Sequence, residues 1–202
     1  MTHSPIQLIP REMQRLLPWK NGGGRTREVA TDEDRSGTFR WRVSVAEVDR
    51  DGPFSEFPGV DRTLWLLRGA GMALKVDGVD VRLLEPYEPF GFAGEARVSA
   101  TLIDGPTEDL NLMVRRDRSR ANAAILRGSQ EIVRPGAARP RDLLVLALDG
   151  TCDVTFGDSP THRLLSHDAA VLRSDPAGLR LRPVHGQAVT FLAEFFDIGS
   201  GG

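Results

Sequence analysis

Trp19-Lys20-Asn21-Gly22-Gly23-Gly24-Arg25-Thr26-Arg27-Glu28 can be read as a phosphate loop or as a turn into a strand, and the choice sets the fold class. The stretch lacks the closing Gly-Lys-Ser/Thr of a phosphate loop, and no helical pattern follows it. Thr26 to Ala30 (Thr-Arg-Glu-Val-Ala) reads instead as a strand. Glycine tolerates positive φ and lets other groups approach its backbone. The run is therefore a tight crossing that delivers Asn21, Thr26 and Glu28 to some surface, or a plain Gly-rich turn of a β protein.

The flanking sequence continues the β reading. Upstream, Ile6 to Ile9 suits a strand, and Pro10 suits the first turn of a short helix reaching about Leu17, ended by Pro18. Downstream, Thr31 to Gly37 is a polar loop. Phe39 to Val48 then alternates: Phe39, Trp41, Val43 and Val45 point one way, and Arg40, Arg42, Ser44 and Ala46 the other. Arg42 and Ser44 thus line one wall of a pocket or lie on a solvated face. In Gly52-Pro53-Phe54-Ser55-Glu56-Phe57-Pro58-Gly59, Gly/Pro pairs bracket two aromatics and stiffen a loop whose polar side chains are Ser55, Asp61 and Arg62. Asp77-Gly78 is a two-residue hairpin turn. In the strand from Leu110 to Arg116, Asn111, Met113 and Arg115 share a face. Ser119 to Gly128 reads as helix or loop, and Arg134 to Arg141 as a connector. Turn signals recur at the spacing of a sandwich or barrel.

The chain repeats itself at an offset of 81 residues: Leu67 matches Leu148, Gly69 matches Gly150, Asp77 matches Asp158, and Arg82-Leu83-Leu84 matches Arg163-Leu164-Leu165. Matches at turns and strand cores indicate two copies of one β unit. We expect a first lobe over 1–118, a second over 119–198 and a flexible tail over 199–202. The first half holds the glycine run, the stiff loop and the Asn111 strand, so any site is expected there.

Composition narrows the function. With 202 residues the chain can bury a sizeable core, and its net charge of -2 argues against a nucleic-acid binder. Cys152 is the only cysteine, which excludes an internal disulfide and suits a reducing compartment. No signal peptide or membrane span is visible, so a cytoplasmic protein is expected. A cupin-type metal site needs two or three histidines plus a carboxylate. Only His3, His162, His167 and His185 exist, and none beyond the tail residue His3 falls in the first half, so no metal or other cofactor is expected. Ser55 has no nearby histidine to activate it. Glu28 is either a salt-bridged structural residue or a base. Arg42, Arg62, Arg115 and Arg116 suit an anion better, because a guanidinium grips a carboxylate through two parallel hydrogen bonds.

Trp19-x-Asn21-Gly22-Gly23-Gly24-x-Thr26-x-Glu28, Trp41-Arg42-x-Ser44-x-Ala46, Gly52-Pro53-Phe54-Ser55-x-Phe57-Pro58-Gly59-x-Asp61-Arg62 and Asn111-Leu112-Met113-x-Arg115 occur in this order, and together they resemble the HutD family, which includes the Ves protein. Leu110 stands where the family often has Phe, a mild apolar change. The resemblance implies an all-β bicupin, two jelly-roll-like β-barrel lobes in one chain. It also implies a setting in histidine utilization, where the family is thought to restrain the pathway by binding an intermediate such as N-formylglutamate or urocanate.

From residues and resemblance together we expect a metal-independent protein that senses a small carboxylate metabolite. Its pocket would be lined by Asn21, Thr26, Glu28, Arg42, Ser44, Ser55, Arg62, Asn111 and Met113. Arg42 or Arg62 would hold the carboxylate, Asn21 and Asn111 would read the other polar end, and Glu28 would orient an arginine or accept a ligand N–H. The alternative is a metal-independent isomerase, lyase or hydrolase with Glu28 as base. A third reading is a scaffold or dimerisation module with no ligand. No membrane partner is expected, and edge pairing into a homodimer is open.

Overall fold

The structure is a computed structural model that describes residues 6–133, 140–173 and 178–198. His3, most of the expected connector and the tail from Gly199 lie outside the described residues. Among those described, regular structure is strand apart from one 3-10 turn, Arg11–Met13.

The strands are β1 (Ile6–Ile9), β2 (Arg15–Pro18), β3 (Gly24–Glu33), β4 (Phe39–Val48), β5 (Gly52–Pro53), β6 (Val60–Arg68), β7 (Met72–Val76), β8 (Val79–Leu83), β9 (Pro89–Ala93), β10 (Val98–Leu102) and β11 (Thr107–Arg115). They continue as β12 (Ser119–Arg127), β13 (Gln130–Val133), β14 (Asp142–Asp149), β15 (Cys152–Phe156), β16 (His162–Leu164), β17 (Ala169–Leu172), β18 (Gly178–Pro183) and β19 (Val189–Asp197).

The chain divides into two compact units. One is Arg15–Ser119; the other joins the N-terminal segment through Gln14 to the chain from Arg120 onward. This differs from the expected first lobe over 1–118. Strand β1 pairs antiparallel with β17, from Ile6 opposite Leu172 to Ile9 opposite Ala169. Gln14 Nε2 donates to the His167 carbonyl at 2.7 Å, and the Arg11 N–H donates to Asp168 Oδ1 at 2.9 Å. These pairings hold the first strand in the second unit.

In the Arg15–Ser119 unit a six-stranded sheet runs β2-β3-β4-β11-β6-β9, and a four-stranded sheet runs β5-β10-β7-β8. The other unit has β1-β17-β14-β19-β12 and β13-β18-β15-β16. The sheet orders superpose strand for strand: β6 on β14, β7 on β15, β8 on β16, β9 on β17, β10 on β18 and β11 on β19. The offset of 81 is thus a structural repeat. Each unit is a cupin-like pair of sheets rather than a closed barrel. Its core fills the space between them: Ala46, Leu64, Leu66, Met72, Leu74 and Val98 in one unit, and Leu143, Val145, Cys152, Val154, Leu181 and Leu192 in the other. Fully burying one such large apolar side chain contributes about 1.5–3 kcal/mol.

In the middle of the six-stranded sheet, along β4, β11 and β6, both faces are largely buried. Trp41, Val43, Val45, Leu110 and Leu112 are withdrawn on the face opposite the core just described.

Two local expectations give way. The helix from Pro10 to Leu17 closes after Met13; Gln14 is extended at φ -76° and ψ 135°, and Leu16 and Leu17 pair with Arg27 and Thr26 as strand β2. Pro18 is tolerated because β2 is the sheet edge, where a missing N–H costs no ladder bond. The polar stretch from Thr31 continues β3 as far as Glu33, and Ser119 to Arg127 is strand β12. The Asp77-Gly78 turn is as expected, with both residues at positive φ (48° and 87°).

Candidate functional site

The glycine run is the turn of the β2–β3 hairpin. Gly22 sits at φ 68°, and the Asn21 side chain closes the turn by accepting the Gly23 N–H on Oδ1 at 3.0 Å. The Gly23 carbonyl accepts N–H groups from Asp49 (2.9 Å) and Arg50 (3.2 Å). At Gly24 a Cβ would stand 2.3 Å from the Glu47 carbonyl oxygen, so only glycine lets β3 start this close to the end of β4. Trp19 Nε1 donates to Thr26 Oγ1 across the hairpin at 2.8 Å.

This hairpin forms one wall of a cavity of about 660 Å³ inside the Arg15–Ser119 unit. Antiparallel pairing sets the opposite wall in rungs. Thr26, Ala46, Asp109 and Leu66 stand in register on β3, β4, β11 and β6. Glu28, Ser44, Asn111 and Leu64 form the next rung. Arg42, Met113 and Arg62 form the third, with Phe92 of β9 beyond them. Alternate residues share a face, so successive rungs lie about 7 Å apart. Strand β5 adds Pro53, and the stiff loop after it adds Phe54, Ser55 and Phe57.

Arg62 is only 5% exposed. Its guanidinium carbon lies 5.4, 5.5 and 4.9 Å from the ring centres of Phe54, Phe57 and Phe92. Nη1 donates to the Ser55 carbonyl at 3.1 Å, and Nε is buried with no hydrogen-bond partner. Among the described residues no carboxylate comes within ion-pairing distance of it. Burial lowers its pKa to about 10, against the pull of the Asp109 charge and with a further push from Arg42, so it remains a cation at neutral pH. The aromatic faces supply part of the stabilisation that water would otherwise give.

Asp109 lies two rungs away and is 2% exposed. Among the described residues its carboxyl has no hydrogen-bond donor. Burial pushes its pKa up to about 7, with Arg62 pulling down and Glu108 pushing up. Asn111 Oδ1 is also buried without a partner. Arg42 is held by Glu28, Nε to Oε2 at 3.4 Å, and the other Glu28 oxygen faces Arg15 Nη1 at 3.5 Å.

Of the residues expected at the site, Asn21, Thr26, Arg42, Ser44, Ser55, Arg62, Asn111 and Met113 line the cavity. Glu28 does not; both its oxygens are engaged by arginines, so it orients Arg42 and is poorly placed as a base. Ser55 contributes its carbonyl to Arg62, and Asn21 spends its Oδ1 on the turn. Arg116 is occupied elsewhere, with Nε 2.7 Å from Asp61 Oδ1, and Arg115 lies 5.9 Å over the Phe39 ring. Sequence reasoning missed Asp109, Trp19 and Lys20. The signal for Asp109 was present, since alternation along β11 sets it on the face of Asn111 and Met113. His162 and His167 do not share a strand: His162 opens β16, and His167 lies beyond it at φ 71°. No group of three or more His, Cys, Asp or Glu side chains among the described residues is placed to hold a metal ion.

The family model described as HutD matches residues 11–191. The chain belongs to the HutD family. A relative from Pseudomonas putida, a 21.2 kDa protein in the hutC 3′ region, is 33% identical over 173 residues, covering 85% of this chain and 89% of the relative. Protein Ves of Citrobacter koseri is 36% identical over 167 residues, covering 78% and 86%. The solved structure of HutD from Pseudomonas fluorescens SBW25 superposes with a TM-score of 0.83 at 30% identity, covering 96% of this chain and 100% of that one. An oxalate decarboxylase of Lactobacillus farciminis (TM-score 0.62, 11% identity, covering 94% and 85%) is similar in fold alone.

Proposed function

We propose that this HutD-family chain binds a small carboxylate metabolite in the cavity of its Arg15–Ser119 unit, without a metal, and thereby regulates histidine utilization. The observation that carries the reading is Arg62: a buried cation faces a roomy cavity and has for partners three aromatic faces and one carbonyl. A buried charge is costly unless paired, and a ligand carboxylate supplies the pair. Arg42, held by Glu28, presents a second guanidinium to the same space, and Asn111 offers an unpartnered oxygen. The link to histidine utilization rests on HutD membership and on the relative in a hutC region. The lone cysteine, buried Cys152, suits work in the cytoplasm.

The test is calorimetric titration with N-formylglutamate, urocanate, histidine and glutamate, repeated on Arg62→Ala. Binding of one of them is expected to weaken by about 1.5–3 kcal/mol in the variant, the worth of a charge-assisted hydrogen-bonded contact, with the thermal transition retained. Silence from all four would remove the histidine-pathway ligand. Equal affinity in the variant would remove Arg62 from the site.

A further inference from the structure

Among the described residues, Arg62 and Asp109 are the fully buried charged groups lining the cavity, and neither forms an ion pair. They share one enclosure and feel each other electrostatically. The other charges facing Asp109 are accounted for. From β4 comes Arg42, neutralised by Glu28 of β3. From the hairpin turn comes Lys20 at the rim. Glu108, the preceding residue on β11, pairs with Arg68 at 3.6 Å. The strand positions nearest Asp109, Ala46 and Leu66, are apolar. The deepest groups of the free cavity are therefore one cation and one carboxylate, in surroundings that penalise unpaired charge, while Lys20 adds a positive charge at the rim.

A carboxylate arriving at Arg62 upsets that balance. It takes over the guanidinium that had been stabilising ionised Asp109, and it adds a second negative charge to the enclosure. Two like charges sharing a site raise the affinity of one of them for a proton. Resting on the carboxylate-binding reading above, we propose that the site takes up its ligand as an anion together with one proton, the anion on Arg62 and the proton on Asp109. The protonated carboxyl then becomes a hydrogen-bond donor, aimed from two rungs away at the far end of the ligand. The ligand class this selects is a monoanionic organic acid with an oxygen acceptor remote from its carboxylate. A ligand carrying its own cationic end would balance the cavity unaided.

The sign follows from linkage. The Asp109 carboxyl of the free protein titrates at about 7. Well below that pH it already holds its proton, and binding takes up none. Above it, binding draws a proton from the buffer, and affinity falls up to tenfold per pH unit until the bound-state pKa is reached.

The test is titration of the whole protein with levulinate, a monoanion whose ketone oxygen is remote from its carboxylate, and, separately, with propionate, which lacks that oxygen. Heats are compared in phosphate, HEPES and Tris, whose ionisation enthalpies differ, at pH 5.5 and pH 8. Proton uptake near zero at the lower pH and approaching one per ligand at the higher is expected, and Asp109→Asn should bind with uptake abolished and a flat pH profile. Asp109→Thr, which installs the residue found at the matching place in the other unit, serves as a second variant should the first misfold. Binding without uptake at pH 8 overturns the proton proposal and leaves the carboxylate site standing. Uptake that survives both substitutions also overturns it. No binding of either probe or of the pathway metabolites overturns both readings.

Discussion

Arg62 on β6 stands opposite Met113, and Leu143 on β14 holds the same place in the other unit, opposite Glu194. One rung on, Asn111 opposite Leu64 becomes Leu192 opposite Val145; on the next, Asp109 opposite Leu66 becomes Thr190 opposite Ala147. The backbone plan is shared, while the inner faces differ. In the second unit Leu143 and Leu192 complete an apolar core; in the first, a cation, an amide and a carboxyl face open space. The second unit shows that this pair of sheets closes over a largely apolar face that carries no counterpart of Arg62, Asn111 or Asp109. The polar trio of the first is therefore dispensable for the fold and costs stability, the pattern of groups kept for a ligand. The second contrast lies at the sheet edge. Beyond β4 the first unit adds the β2–β3 hairpin that walls the cavity, whereas the second ends at β12 and adds β1 at its far edge.

The sharpest way to break the comparison is to write the first unit's charge into the second. Leu143→Arg would force a guanidinium into the apolar core, with Glu194 opposite it, and is expected to cost about 3 kcal/mol in denaturant unfolding; a loss below 1 kcal/mol would mean that this core is not dry. The reverse exchange concerns Asp109. Its folded pKa of about 7 lies above the ordinary carboxylate value, so the folded state prefers the protonated form. Its contribution to stability is most favourable below about pH 4 and is lost as pH rises through about 7. Asp109→Asn should therefore gain on the wild type across that interval, by something on the order of a few kcal/mol, and parallel pH profiles would refute the assignment. Gly24→Ala, in the hairpin the second unit lacks, sets a methyl against the Glu47 carbonyl and should cost about 1–3 kcal/mol. Smallest is Thr26→Val, which leaves Trp19 Nε1 without its acceptor: about 1 kcal/mol by thermal melting, with weaker ligand binding as the hairpin loosens.

Much of the cavity was legible because β structure has a period of two. Alternation along β4 put Arg42 and Ser44 on one face, and the same rule on β11 put Asn111 and Met113 together. What stayed hidden depends on partners distant in sequence. Arg15 to Leu17 looks helical locally and becomes part of a strand only because β3 lies alongside. Ile6 to Ile9 reads as a strand, but nothing local says that it joins β17. Glu28 is turned toward Arg42 at a register shift between Glu28 and Ala30, which no alternation rule foretells. Asp109 was on the right face all along; an acid simply did not match an anion site until its burial in the same cavity as Arg62 was visible.

Because the central strands β4 and β11 of the six-stranded sheet are withdrawn from water on both sides, they carry two messages of opposite parity. Trp41, Val43, Leu110 and Leu112 demand oil on one side, while Arg42, Ser44, Asp109 and Asn111 demand polarity on the other. A misalignment of β4 or β11 by a single residue would exchange the two sets at once, driving an arginine and an aspartate into the place of a tryptophan and a leucine. The cavity residues thus double as a proofreading code during assembly: a chain that pairs out of step is rejected by the same side chains that line the cavity once it pairs in step.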